Sequence, residues 1–127
     1  WLRTLPWPVV VVIHANHANE FDSAVDAALA QLRSTGATVL NQAVLLRGVN
    51  DNIEALVALS QRGFAAGALP YYLHQLDRVA GAAHFEVSDE EALVLHAALI
   101  ARMPGYLVPK LVREVAGDPG KRLLVKP

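Results

Sequence analysis

Cysteine is absent from these 127 residues. That excludes disulfides, zinc–thiolate sites and iron–sulfur ligation by side chains of this stretch. Excess charge of one sign is absent too: eleven Lys and Arg face twelve Asp and Glu, for a net charge of −1 and a pI near 6.6. Balanced charge gives no electrostatic case for nucleic acid or an anionic membrane surface as a partner. No apolar run reaches the ~18 residues of a membrane-spanning helix, and the first residues carry no signal-peptide pattern. Internal repeats and low-complexity stretches are also missing. Trp1 stands where an initiator Met would, so the stretch reads as a piece of a longer chain. The expected location is cytoplasmic.

What is abundant is apolar surface. Hydrophobic residues make up 54% and mean hydropathy is +0.30. The excess implies a surface covered by something outside these residues, and self-association is expected. The richest stretch is Val9–Asp22, VVVVIHANHANEFD. Its β-branched run, Val9 to Ile13, reads as a strand buried on both faces, the habit of a parallel sheet covered by helices. The strand ends in a polar cluster of His14, Asn16, His17, Asn19 and Glu20. Open α/β sheets and barrels carry their chemistry just beyond the carboxyl ends of strands, so this edge is a site candidate.

Further along, Asp22 or Ser23 can cap a helix to about Thr35, ended by Gly36, with Val25, Ala28, Leu29 and Leu32 at helical spacing. Thr38–Leu46 reads as a second strand, interrupted by Asn41 and Gln42. Arg47–Asn52 is turn-rich, and Asp51 or Asn52 can cap a helix over about Ile53–Ala65. Leu69–Leu73 reads as a third strand running into His74, Gln75 and Asp77. Ser88, with Glu91 three residues on, forms a capping box for a helix over about Asp89–Met103. Tyr106–Val115 is extended or a strand, and Gly117–Gly120 is a tight loop before Lys121. Strands and helices alternate at about thirty residues per unit, the pattern of parallel strands with right-handed crossovers. Too few units are present to close an eight-stranded barrel. The predicted class is α/β: parallel β/α units over 1–104, forming half of a TIM-type barrel or an open sheet, then a C-terminal extended segment over 105–127.

His14, His17 and Glu20 invite a metal reading. A zinc pair needs further ligands at fixed spacing, and no metal site is expected in this stretch. A polar small-molecule site and simple bracing of the loop after the strand are the readings that remain. Asn41 and Gln42 inside an apolar strand need partners or a cavity to line; a buried structural network is the plainer alternative. Asp77, after a strand end, is a candidate to grip a cation, against the plainer reading of a solvated loop residue. The run GDPGK (Gly117–Lys121) has the wrong glycine spacing for a phosphate-binding P-loop, and no Ser or Thr follows Lys121. His96, within a helix, reads as structural.

Four blocks resemble, in order and spacing, the lysine 2,3-aminomutases: HANHANE (His14–Glu20), NQAVLLRGVNDN (Asn41–Asn52), LPYYLHQLDRVAGAAHFEV (Leu69–Val87) and PGYLVPKLVREVAGDPGK (Pro104–Lys121). These are radical S-adenosylmethionine enzymes that also use pyridoxal phosphate and a [4Fe–4S] cluster. The resemblance covers nearly the whole chain and implies the C-terminal half of the enzyme, with the N-terminal half as its missing partner. YYLHQLD and GAAHFEV, and the ending soon after Lys121, are most similar to the bacterial branch that acts on elongation factor P. That branch converts L-lysine to (R)-β-lysine. By the same resemblance His14, Asn16 and Gln42 face S-adenosylmethionine in the barrel mouth. Asp77 holds the ammonium of the lysine side chain, and Glu114 supplies a second acid where the family has an aspartate. Lys121 is the lysine that carries pyridoxal phosphate, after a glycine turn of which GDPGK keeps part. The CxxxCxxC motif of the cluster, and the arginines for pyridoxal phosphate and the substrate carboxylate, are expected upstream. The zinc-binding cysteines of the lysine-degrading branch are missing, which favours the elongation-factor branch.

Three functions compete. One is part of an aminomutase, whose cofactors do the radical chemistry while the barrel positions them. Another is a non-catalytic binding or self-assembling half-barrel. The third is a related aminomutase for another amino acid, such as glutamate; Asp77 argues against it, since an acid does not hold a substrate carboxylate. The fragment alone is expected to be inactive, because the cluster ligands lie elsewhere.

Overall fold

The computed structural model describes residues 4, 6–76, 83–114 and 121–124. Strands β1 (Val10–His14), β2 (Thr38–Leu45), β3 (Ala68–Gln75) and β4 (Lys110–Glu114) alternate with helices α1 (Ser23–Arg33), α2 (Ile53–Ala65) and α3 (Asp89–Arg102). A short strand, β5 (Lys121–Leu123), follows. All lie in one sheet in chain order, β1 to β4 parallel and β5 antiparallel to β4. Parallel neighbours need a crossover connection, and each one here carries a helix. The fold is α/β, with the architecture of part of a β/α barrel.

Leu29 of α1, Leu56 and Leu59 of α2 and Leu99 of α3 share one core with Val39, Ala43 and Leu45 of β2, Leu73 of β3 and Leu111 of β4. All three helices thus cover the same face of the sheet. Each fully buried leucine contributes about 1.5–3 kcal/mol. The alternate strand residues point away from that core. Caps set the helix starts. Asp22, rather than Ser23, accepts from Val25 N at 2.9 Å, and Asn52, rather than Asp51, accepts from Ala55 N at 2.8 Å. Asp51 takes the Gly48 amide instead, at 2.9 Å. Ser88 accepts from Glu91 N at 3.1 Å and donates its hydroxyl to the Glu91 carboxylate at 3.3 Å. Between α2 and α3, Arg102 donates to Glu54 at 2.8 Å, which holds the Glu54 carboxyl below its usual range.

The expected strand at Val9–Ile13 is found as β1, but it is not buried on both faces. Val10 is 57% exposed and Val12 36%. β1 lies at the sheet edge with β2 on one side only, and these side chains point away from the helix-covered core. β3 runs on to Gln75, so His74 and Gln75 are strand residues rather than loop. α1 stops at Arg33, where the amides of Thr35 and Gly36 turn back to Leu32 and Arg33 and Gly36 takes a φ of 93°. Tyr106 sits in a 3-10 turn, Gly105–Leu107, ahead of β4. β5 adds a strand where only an extended segment was expected. The tight loop expected at Gly117–Gly120 lies outside the described residues.

Carboxamides hold the loops after β1 and β2. Asn41, buried in β2, accepts from Ala15 N at 2.9 Å and donates to Ala15 O at 3.1 Å. Asn16 accepts from Val44 N at 2.9 Å. Asn50, wholly buried, donates through Nδ2 to Asn16 O at 2.8 Å and Val44 O at 2.9 Å, and accepts from Leu46 N at 2.8 Å. These bonds satisfy backbone groups that the ladder leaves open at the strand ends.

Two outcomes follow for stability, both readable from urea unfolding. Asp22→Ala should cost about 1 kcal/mol and Ser23→Ala less than about 0.5 kcal/mol; equal losses at the two positions would contradict the cap. Asn50→Ala strands two carbonyls and one amide and should cost roughly 3 kcal/mol. A change within experimental error there would mean that water replaces Asn50 freely.

Candidate functional site

The four parallel strands point the same way, so their carboxyl ends gather at one rim of the sheet. On the face away from the helices, the register sets His14 beside Gln42, Gln42 beside Tyr72, and Tyr72 beside Lys110. One step nearer the rim, Val44, His74 and Val112 form the next row. His74 Nε2 and Gln42 Oε1 are bonded at 3.0 Å. A carboxamide oxygen only accepts, so Nε2 carries the proton. Tyr72 lies edge-on to His74 at 5.7 Å between ring centroids and stacks on Tyr71 at 3.9 Å.

One irregular residue makes this arrangement. Asn41 pairs with Pro70 but Gln42 pairs with Tyr72, so the register steps over Tyr71. Pro70 has no N–H to give the ladder, and prolines inside sheets sit at such bulges. Side chains alternate, so an extra residue exchanges the faces of everything after it. Without the bulge His74 would enter the helix-side core and Gln75 would leave it. With it, Gln75 is buried, donating through Nε2 to Val87 O and, at 3.1 Å, to Asp89 Oδ1. Arg113 pairs with the same carboxylate. Gln75 Oε1 and Arg113 Nε find no partner among the described residues.

His14 is exposed and stands in register with Gln42, so these two expected residues come together. Asn16 lies in the next loop, its Oδ1 taken by Val44 N and its side-chain Nδ2 bonded to none of the described residues. Glu114 ends β4 and Lys121 begins β5, and the two pair directly across the ladder. Asp77 lies outside the described residues. His17 and Glu20 serve their own loop: His17 Nδ1 accepts from Asn19 N at 3.1 Å, and Glu20 takes the amide of Asn16 and, at 2.9 Å, that of His17. Bonds of this kind are bracing, and Asn41 is likewise part of a structural network. His96 Nε2 bonds to Pro109 O at 2.7 Å, a structural role. Sequence reasoning misses Tyr72 and His74, because the bulge after Pro70 sets which face they occupy; the signal was a proline inside an apolar strand. It also misses Asn50, whose signal was a carboxamide in the turn directly after a strand.

The helix-free face therefore offers imidazoles, a carboxamide and phenol rings, a set suited to a polar ligand with hydroxyls, carboxylates or rings. A hollow of about 430 Å³ opens at the opposite rim, lined by Arg33, Thr38, Phe64 and Gly67 among others. Among the described residues Arg33 is its one charged group and no acid–base pair lines it, so the carboxyl rim is the better site.

No family model matches the chain. It is similar to L-lysine 2,3-aminomutase of Escherichia coli (strain K12), 55% identical over 113 residues, which is 89% of this chain and 33% of that protein. The L-lysine 2,3-aminomutase of Haemophilus influenzae is 51% identical over 114 residues, 90% of this chain and 34% of the relative. That of Buchnera aphidicola subsp. Baizongia pistaciae is 42% identical over 120 residues, 94% and 35%. The chain thus spans about a third of the length of the curated relatives it matches. Along nearly all of its own length, it is similar to lysine 2,3-aminomutases.

Proposed function

We propose that this stretch is the C-terminal part of a bacterial radical S-adenosylmethionine enzyme that turns L-lysine into (R)-β-lysine for the modification of elongation factor P. The observation that carries the reading is 55% identity, over 89% of the chain, to a protein named L-lysine 2,3-aminomutase. A polar row at the carboxyl rim of a parallel sheet is what such an enzyme needs. The elongation-factor assignment rests on the wording of Tyr71–Asp77 and Gly81–Val87. Among the described residues no helix is long and apolar enough to cross a membrane, and a cytoplasmic enzyme fits this reading.

When bound, S-adenosylmethionine on a reduced [4Fe–4S] cluster supplies the radical, and pyridoxal phosphate carries the migrating amino group. The cluster ligands must come from outside this stretch, which has no cysteine. The helix-free face fits S-adenosylmethionine by its donor set: His14 and Gln42 offer hydrogen bonds to hydroxyl and carboxylate oxygens, and Tyr72 offers a ring. Asn16 has its amide nitrogen left for the same ligand. Lys121, proposed to hold pyridoxal phosphate, is in backbone register with Glu114, the second acid proposed for the substrate ammonium. Asp77 is the main proposed partner of that ammonium, and a carboxylate there selects lysine by charge.

The chain has three lysines, Lys110, Lys121 and Lys126, so borohydride reduction of the complete enzyme followed by peptide mapping is decisive. The phosphopyridoxyl group should appear on Lys121; finding it on any other lysine rejects the assignment. Asp77→Asn should lower kcat/KM for lysine at least about 100-fold, since breaking a buried ion pair costs about 3–5 kcal/mol. Unchanged kcat/KM removes Asp77 from the site. The 127 residues alone, given reductant, S-adenosylmethionine and pyridoxal phosphate, should make no β-lysine and should self-associate through the open edge of β1. Turnover above background, or a dilution-stable monomer in sedimentation, would reject the corresponding half of that expectation.

A further inference from the structure

Gln42 has a side-chain bond to a single described residue, and that residue is His74. A carboxamide free to turn offers a ligand either its oxygen or its NH2 group. Here the orientation is decided: Oε1 is filled by the His74 ring at 3.0 Å, while Nε2 meets no other described group. The ring is itself backed by Tyr72, edge-on at 5.7 Å, and Tyr72 by Tyr71, stacked at 3.9 Å. The bulge after Pro70 delivers His74 to this face, on the diagonal from Gln42.

We propose that His74 is a positioning residue that turns the Gln42 carboxamide so that its NH2 group faces the ligand, making Gln42 a dedicated hydrogen-bond donor to a hydroxyl or carboxylate oxygen. The inference rests on the proposed function for the identity of that ligand, S-adenosylmethionine. It goes further in two respects. It gives Gln42 a single polarity, donor and not acceptor, and it makes that polarity depend on a neighbour in the next strand. A donor aimed at the ligand favours an oxygen over an ammonium at this point of the face.

The test is a double-mutant cycle in the complete, cluster-loaded enzyme, with S-adenosylmethionine binding read by titration calorimetry in the absence of lysine. Gln42→Ala should weaken binding about tenfold, the size of one hydrogen bond. His74→Ala should lose nearly as much, and the double variant no more than Gln42→Ala alone, because the two residues act as one unit. Gln42→Glu, which keeps the shape and removes the donor, should bind more weakly than Gln42→Ala. His74→Gln, which restores an N–H donor, should return to within about threefold of the parent. Where His74→Ala does not fold, His74→Phe keeps a ring without the donor and completes the same cycle. Wild-type affinity in the His74 variants, or losses that multiply in the double variant, would overturn the positioning role while leaving the enzyme reading intact. Binding indifferent to Gln42→Ala removes Gln42 from the site and the inference with it. A parent enzyme that does not bind S-adenosylmethionine at all sinks the functional reading as well.

Discussion

Side chains alternate along a strand, so one residue skipped by the β2–β3 register decides which face everything after it in β3 occupies. Tyr71 is that residue, and Pro70 is the reason the ladder slips there. Both halves of the molecule's polar chemistry depend on the slip. On the helix-free face it sets His74 against Gln42. On the other it buries Gln75 against Asp89, at the start of α3, where Arg113 of β4 also arrives. A single insertion thus wires β3 to β2 on one side of the sheet and to α3 and β4 on the other.

The loops after β1 and β2 are held by uncharged amides rather than ion pairs. Asn16, Asn41 and Asn50 each bond to backbone atoms of a neighbouring segment. A carboxamide can donate and accept at once, so it closes two open backbone positions without burying a charge. Two ion pairs, Arg62 with Asp26 and Arg102 with Glu54, lie on the partly exposed outer helices, where their worth is small, whereas Arg113 and Asp89 pair beside Gln75. Amides therefore hold the loops after β1 and β2, while Arg62–Asp26 and Arg102–Glu54 serve the outer surface.

Much of this was legible in the sequence. Polar residues breaking the apolar runs at His14 and Gln42 marked the rim, and glycines and caps marked the helix ends. Asp22 and Ser23 are both good caps, as are Asp51 and Asn52, so only geometry chooses between them. The exposure of β1 was not legible, because a β-branched run says that a strand is apolar and not which neighbours it has. His74 was missed for a different reason: a bulge changes face by parity, and parity is counted along a paired strand. The pairing of Glu114 with Lys121 needs β5, a three-residue antiparallel strand with no local signal of its own.

Asn50 also bears on how this protein ages. Its amide nitrogen stands between two carbonyl oxygens, those of Asn16 and Val44, in a wholly buried position. Asparagine is among the thermolabile residues, and loss of its amide to hydrolysis would put a carboxylate against both oxygens. Folded, the loop shields that amide from water and holds it rigid. Once opened and hydrolysed, the rim cannot close again as it was. The same atoms that hold the loop in place act as a chemical clock, converting a reversible opening into a permanent one.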